Sequence, residues 1–345
     1  MRIAINGRFL LRPVTGVERY GHQLLGVVAD VWPGSRVLLP RGGQVELPEG
    51  LVLHAGGGLK GHAWEQFALP RLLQADELLL SPANAGRLVV HRQVLWLHDL
   101  FWRSAPAQLD ARLARWYGWL IPRLANRVAA LATVSDRTRD LIARSLAGAA
   151  NRITVVPPFA EVLPAGGVCP VEGPFVLSVG SLSARKQPDR LAEAFLRHVP
   201  APWKLVFAGR TPGTLRQVGL PESERIIVLD KADDLMLGAL MRSAACVAQV
   251  PLDEGFGLPV LEAIAAGSPV LTSDIPVFRE RFGDLPCHVD PHDTDAIGSK
   301  LKALLTEGRE AVRQRALAPQ VLSRHDRERM REALRALLDP LLQGG

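Results

Sequence analysis

Pro251-Leu-Asp-Glu254-Gly255-Phe256-Gly257-Leu258-Pro259-Val-Leu-Glu262-Ala-Ile-Ala-Ala-Gly267-Ser-Pro269-Val270 is the stretch on which the reading of this chain turns. Gly255-Phe256-Gly257 reads as a loop. Pro259 suits the first turn of a helix, where a missing N–H costs no hydrogen bond. Gly267 suits the end of that helix, where left-handed geometry favours glycine. Ser268-Pro269 stops the helix, and Val270-Leu271-Thr272 begins a strand. The spacing thus predicts loop, helix and strand, with Glu254 in the loop and Glu262 in the first helical turn. The free N–H groups and positive dipole end of such a helix suit a phosphate. Carboxylates accept hydrogen bonds from sugar hydroxyls. Together these features describe a site for a phosphate flanked by sugars, as in a nucleotide sugar. Taken singly, each residue also has a plain reading: Glu262 complements the helix dipole, and the glycines punctuate turns.

The segment upstream has the same alternation. Phe175-Val-Leu-Ser-Val-Gly180 is a buried strand, followed by Arg185-Lys186 and a helix from about Asp189. Two adjacent cations at a helix start oppose its dipole and call for an anion. Arg185 offers bidentate contacts and Lys186 a point charge. Lys204–Gly209 and Ile226–Leu229 read as strands, Leu235 to Cys246 as a helix, and Val247–Val250 as the strand that feeds the central stretch. Residues 294–306, 309–319 and the tail from Arg324 read as helices. The Pro- and Gly-rich segment 157–174 reads as a linker.

In the first half, residues 2–6, 36–39, 51–54 and 153–156 read as strands. Thr15-Gly16 precedes a helical pattern from Val17, making a second phosphate-sized turn. Gly56-Gly-Gly-Leu-Lys-Gly61 satisfies G-x-G-x-x-G, but it is not on the first strand and Pro70 interrupts the helix expected after it. Such short patterns arise often by chance. Val94 to Leu100 is a strand ending in His98-Asp99. Ligand-contacting groups collect at the carboxyl ends of strands in open α/β sheets, and a histidine there can work in acid–base chemistry. Adjacent residues of an extended chain point opposite ways, so the two need not touch. Arg112, Arg115, Trp116 and Trp119 share a broad helix face, as at a membrane interface or on an ordinary surface helix. Ser135 reads as a helix N-cap.

Length, 345 residues, suggests two domains. An apolar fraction of 48% with 22% charged residues is ordinary for a globular protein. No apolar run approaches the ~18 residues of a membrane span, and the N-terminus lacks a signal peptide's apolar core. The three cysteines are far apart, with neither metal nor disulfide spacing, which fits a cytoplasmic protein. The net charge of +6 favours anionic partners such as nucleotide diphosphates, lipid pyrophosphates or an anionic membrane face. No zinc spacing or RNA-binding signature accompanies that charge, so no nucleic-acid partner is expected.

The central stretch resembles the EGFGLPxxEAxAxGxPV signature of the retaining GT-B glycosyltransferases of family 4, with Glu254 and Glu262 as the E-x7-E pair. The resemblance extends over nearly the whole chain. Thr15-Gly16-Val17-Glu18-Arg19-Tyr20 resembles the TGVxRY turn. Trp64-Glu65-Gln66, Leu69-Pro70 and Ser81-Pro82-Ala83-Asn84 resemble the WEQ…LP…SPAN segment of the mannosyltransferase-like branch, with Leu80 where that branch often has histidine. His98-Asp99 resembles its HD element, and Val179 to Phe195 its VGxxxxRKxxxxLxxAF element.

The resemblance implies an α/β chain of GT-B type, with two Rossmann-like domains facing across a cleft. Their expected bounds are 1–165 on the acceptor side and 166–323 for the nucleotide sugar, with 324–345 a helix returning to the first domain. It implies an enzyme moving a hexose, mannose or a related deoxyhexose, from a nucleotide diphosphate sugar to a saccharide or lipid-linked saccharide acceptor. The setting would be cell-surface polysaccharide assembly, with peripheral association at the inner membrane face. Arg185 and Lys186 would stabilise the leaving diphosphate, and no metal or other cofactor is expected. Gly180, Gly255, Phe256, Gly257 and Leu258 would line the donor. Glu254 would orient the sugar or act as nucleophile, and Glu262 would hold the ribose. His98 would face the transferred sugar. Thr15, Gly16, Arg19, Asn84 and Asp99 would lie toward the acceptor, with Gly16 against either the donor phosphates or the acceptor. An NAD(P)-dependent oxidoreductase using Gly56–Gly61, a sugar-nucleotide epimerase of the same fold, and an inactive saccharide-binding relative are the competing readings.

Overall fold

The computed structural model describes residues 2–146, 148–209, 215 and 217–343. The outermost residues of the expected domains, 1 and 344–345, lie outside this set. The chain divides into two units. One comprises Met1–Ser104, Ala114–Phe159 and Arg327–Gly345; the other comprises Ala105–Leu113 and Ala160–Asp326. The chain thus passes between the units at 104/105, 113/114, 159/160 and 326/327.

The first unit is built on a seven-stranded parallel sheet. Its strands are β1 (Arg2–Asn6), β2 (Arg36–Leu39), β3 (Val52–Ala55), β4 (Glu77–Ser81), β5 (Gln93–Trp96), β6 (Ala130–Thr133) and β7 (Ile153–Val155), in the order β3-β2-β1-β4-β5-β6-β7. Short apolar runs such as Glu77-Leu-Leu-Leu-Ser81 suit strands covered on both faces. Helix Gly16–Val31 packs against the C-terminal helix Arg327–Gln343, and Arg327 donates to Asp30 Oδ2 at 2.7 Å.

The second unit holds a six-stranded parallel sheet. Its strands are β8 (Phe175–Val179), β9 (Lys204–Ala208), β10 (Ile226–Leu229), β11 (Cys246–Gln249), β12 (Val270–Ser273) and β13 (Cys287–Val289), in the order β10-β9-β8-β11-β12-β13. Helix Asp234–Ser243 ends three residues before Cys246. Ala244 is extended, and Cys246 pairs with Val176, so Cys246 begins a strand and not the expected helix end. The C-terminal helix likewise starts at Arg327, after the turn that carries Arg324 and His325.

Both sheets reverse direction once, between β1 and β4 and between β8 and β11. At such a switch point the connections leave to opposite sides, and the carboxyl ends of the two strands open a crevice. In unit two those ends lead into Gly180–Lys186 and Pro251–Gly257. In unit one they lead into the loop from Gly7 and into Pro82–Asn84. Fold topology therefore delivers most of the motif residues to two crevices.

Pro70 does not interrupt the helical run that follows Gly61. Residues Trp64–Ala68 form a π turn, in which Leu69 N–H bonds Trp64 O, and Leu69–Leu72 continues as helix. The wider turn just ahead accommodates a proline that lacks an N–H and would crowd the carbonyl four residues back. The glycines of Gly56–Gly61 let this run pack down: a Cβ at Gly56 would lie 2.6 Å from Leu72, and one at Gly57 2.6 Å from Ala68.

Gly209, after β9, has φ +141°, and a Cβ there would stand 2.8 Å from the Gly180 carbonyl oxygen. Gly209→Ala should cost about 1–3 kcal/mol through backbone strain and shift Gly180. Thermal unfolding should show the loss.

Candidate active site

In unit two the chain leaves β8 through Gly180 (φ +132°) and makes a 3-10 turn, Ala184–Lys186. Gln187 then adopts a left-handed conformation (φ 50°) and caps helix Pro188–His198. Its buried amide donates to Val250 O at 3.0 Å and Pro291 O at 2.9 Å. Leu252 N–H donates to Arg185 O at 2.9 Å. These three bonds bolt the Arg185-Lys186 turn to the loops after β11 and β13.

Arg185 Nη1 donates to Asp253 O at 2.6 Å and to Glu254 Oε2 at 2.9 Å. Lys186 Nζ donates to Glu254 Oε1. The three side chains are only 18%, 15% and 12% exposed. Charge-assisted bonds of this kind are the strong ones, and partial burial weakens the competition from water. The triad carries net +1, with two cations gathered on one carboxylate.

Gly257 has φ +99° and caps helix Leu258–Ala265; a Cβ on it would lie 2.5 Å from Phe278. Gly255 N–H turns back to Glu254 Oε2 at 3.3 Å. Phe256 is buried, edge-on to Phe282 and His325, so its ring anchors the loop. Glu262 does not lie in the first helical turn as expected. The helix begins at Leu258, which places Glu262 one turn in, and it is 5% exposed. Asp293-Thr294-Asp295, just after β13, has D-x-D spacing, but both carboxylates are engaged. Asp293 caps Ala296 N–H at 2.8 Å, and Asp295 meets Arg197 at 3.0 Å and His198 at 2.9 Å.

In unit one, Thr15 and Gly16 are exposed at the start of helix Gly16–Val31. Glu18 is buried there and closes a capping box: Thr15 N–H (3.2 Å) and Thr15 Oγ–H both donate to Oε2. Arg12 Nη2 meets Oε1 at 2.6 Å. Arg19 is half-buried on the next position. β5 stops at Trp96, so His98 and Asp99 sit in the loop beyond the strand and not at its end. Asn84, left-handed at φ 57°, accepts His98 N–H at 2.8 Å, and His98 Nε2 donates to Pro82 O at 2.6 Å. The SPAN and HD segments are thereby one structure. Asp99 accepts Phe101 N–H at 3.1 Å, capping the next turn. The His98 ring is edge-on to Tyr20 at 4.9 Å, and Tyr20 links Trp96 Nε1 (2.8 Å) to Val156 O (2.9 Å). Burial pushes His98 below the ordinary histidine range, partly opposed by the Pro82 carbonyl and Asp99. With Nε2 committed as donor, neutral His98 keeps Nδ1 as an acceptor.

Residue patterns did not identify Gln187, the Arg12–Glu18 pair, or a buried carboxylate at Glu65. Glu65 Oε1 accepts from Asn6 Nδ2 at 2.9 Å and meets Arg8 Nε at 2.8 Å; its Oε2 faces His62 Nδ1 at 2.9 Å. Burial alone would raise Glu65, but His62 and Arg8 outweigh it and hold the carboxyl below its usual range. The one available signal was the WEQ resemblance. Among the described residues, no helix is long and apolar enough to cross a membrane.

Residues 164–320 match the family described as Glycosyl transferases group 1. The O-antigen chain mannosyltransferase RfbU of Salmonella typhimurium is 25% identical over 62% of this chain and 61% of its own length. A D-inositol 3-phosphate glycosyltransferase of Xylanimonas cellulosilytica is 29% identical over 82% of this chain and 77% of its own. The solved structure of WaaG, a glycosyltransferase involved in lipopolysaccharide biosynthesis, superposes with a TM-score of 0.71 at 18% identity, covering 99% of this chain and 100% of that one. The fold is thus that of the GT-B glycosyltransferases, with two parallel-sheet Rossmann-like domains. The domain match and these relatives indicate a transferase.

The buried neutral His98 sets a pH dependence. Its folded-state pKa is depressed, so its stabilising contribution is complete above the ordinary value of about 6.5. That contribution is lost as pH falls below 6.5 toward the folded-state value, because the unfolded chain then binds more protons. The thermal midpoint of the native chain should fall more steeply below pH 6.5 than that of His98→Gln; parallel profiles would contradict this.

Proposed function

We propose that this chain transfers a hexosyl group from a nucleotide diphosphate sugar to a hydroxyl of a saccharide acceptor, with retention at the anomeric carbon. The observation that carries the proposal is the Arg185–Glu254–Lys186 triad at the unit-two switch point, beside the N-terminal end of helix Leu258–Ala265. Two nearly buried cations and a helix end suit a diphosphate whose negative charge grows as the glycosidic bond breaks. In this reading Glu254 occupies the cation pair until the diphosphate arrives, then turns to the hydroxyls of the sugar. Glu262 takes the ribose hydroxyls, and the N–H groups of Gly255 to Leu258 line the donor, with Gly180 giving close backbone approach.

The bond from the anomeric carbon to the diphosphate breaks as the bond to the acceptor oxygen forms on the same face. The acceptor proton passes to a leaving phosphate oxygen. Arg185 and Lys186 neutralise that leaving group, so the reaction needs no divalent ion. In unit one, neutral His98 presents an acceptor nitrogen to a sugar hydroxyl. Thr15, Gly16, Arg19, Asn84 and Asp99 frame the acceptor side. RfbU supports a mannose donor, with GDP-mannose the first to test, and a role in cell-surface polysaccharide assembly. The net charge of +6 supports a lipid-linked acceptor at an anionic membrane face on the cytoplasmic side.

Lys186→Ala should lower kcat by about 10²–10³, the cost of removing one preorganised electrostatic donor, with a smaller change in donor KM. Transfer from GDP-mannose by the native chain should persist in EDTA. Near-normal turnover in Lys186→Ala, or loss of activity in EDTA, contradicts the respective assignment.

A further inference from the structure

We infer that His325 is a positioning residue that couples the glycine loop of the candidate active site to the crossings at 159/160 and 326/327. A diphosphate held by the loop then also steadies the chain where it enters and leaves unit two.

His325 lies in the turn after helix Arg309–Leu322, two positions before Arg327, where the chain returns to unit one. It is 3% exposed. Its backbone N–H donates to Leu322 O at 3.0 Å, and its Nδ1 donates to Val321 O at 2.9 Å. The imidazole cannot swing away without leaving a buried donor unpaired. Its ring meets Phe256 at 5.5 Å and 83°, and Phe282 at 6.0 Å. Arg281 lies over the Phe256 ring, 5.7 Å from its centroid. The glycines on either side of Phe256 bring no side chain, so the seating of the loop depends on this ring.

The backbone of His325 reaches the other crossing. Its carbonyl accepts the N–H of Ala160 at 2.7 Å, and Ala160 is the first residue of unit two after 159/160. Within unit one, Phe159 exchanges two bonds with Gln23 of helix Gly16–Val31. Its N–H donates to Oε1 at 3.2 Å, and its carbonyl accepts from Nε2 at 3.0 Å. Arg327 lies 5.9 Å over the Phe159 ring. His325 therefore carries the anchor of the loop on its side chain and a crossing on its backbone.

Opening the turn at His325 removes its ring from Phe256 and its carbonyl from Ala160 together. Local openings of this kind occur well below the free energy of global unfolding. A ligand that binds only the closed loop lowers the population of that opening, and the coupling is reciprocal. Plain core packing would let His325 stabilise both segments without carrying a ligand's effect from one to the other. That the ligand is a diphosphate rests on the proposed function; the tie from Phe256 through His325 to Ala160 does not.

The experiment is hydrogen-exchange mass spectrometry on the full chain, free and with GDP or UDP. It compares the native chain with His325→Ala, His325→Phe and Phe256→Leu. Without ligand, Phe256→Leu should quicken exchange at Ala160, and His325→Ala should quicken it at 255–258. Each effect should be about two- to tenfold, the weight of one aromatic pair, with strands β4 and β9 unchanged. In the native chain the diphosphate that binds should slow exchange both at 255–258 and at Ala160. In His325→Ala the slowing at Ala160 should vanish while that at 255–258 remains; His325→Phe, which keeps a ring, should restore it. Donor KM should rise in His325→Ala and recover in His325→Phe, with acceptor KM unchanged. An Ala160 response that persists in His325→Ala, or exchange at Ala160 indifferent to Phe256→Leu, would overturn the coupling. If neither diphosphate slows exchange at 255–258, the transferase reading falls, and the ligand-free comparison still decides the coupling.

Discussion

A carboxylate held between two cations is the constraint on which the proposed donor site depends. Arg185 and Lys186 both reach Glu254, from a turn sixty-eight and more residues away in sequence. Isolated at a crevice, two adjacent cations would repel each other and pay for desolvation. Glu254 offsets both effects. On the proposed function, the carboxylate also makes the free site electrostatically similar to the occupied one, so little reorganisation is needed when a diphosphate replaces it.

Rigid supports surround that triad. Gln187 ties the cation turn to Val250 and Pro291, and Phe256 anchors the glycine loop in an aromatic cluster with Phe282 and His325. On the proposed function, that fixed frame supplies the preorganised electrostatic stabilisation of the leaving group. Unit one solves a related problem with different parts. Asn84 and Pro82 clamp His98 through its backbone and its Nε2, and the Tyr20–Trp96 bond holds the layer beneath. In unit two these bonds join the loops after β8, β11 and β13, and in unit one they join the loops after β4 and β5.

Local rules made the parallel sheets and the central loop–helix–strand legible from residues alone. Gly257 needs a positive φ, Pro259 fits an early helical turn, and Ser135 caps its helix by accepting Thr138 N–H at 3.1 Å. What failed was whatever depended on distant partners. Glu65 is buried against Asn6 and Arg8 from another strand's end, and nothing near Trp64 in sequence announces those partners. The π turn let Pro70 stay within a helix, against its usual meaning. Cys246 continued an apolar run whose division into helix and strand was decided by pairing with Val176. Glu262 was placed a turn early even though the loop ending at Gly257 was legible: a helix that begins at Leu258 makes Glu262 its fifth residue.

The most direct test of the account is a calorimetric titration of Glu254→Gln against the native chain with GDP and UDP, in EDTA. If Glu254 occupies the cation pair that a diphosphate must take, its neutral replacement should bind the preferred diphosphate about tenfold more tightly, a gain of about 1.4 kcal/mol, while hexosyl transfer falls. Equal or weaker diphosphate binding by Glu254→Gln would contradict the claim that the triad is the diphosphate site.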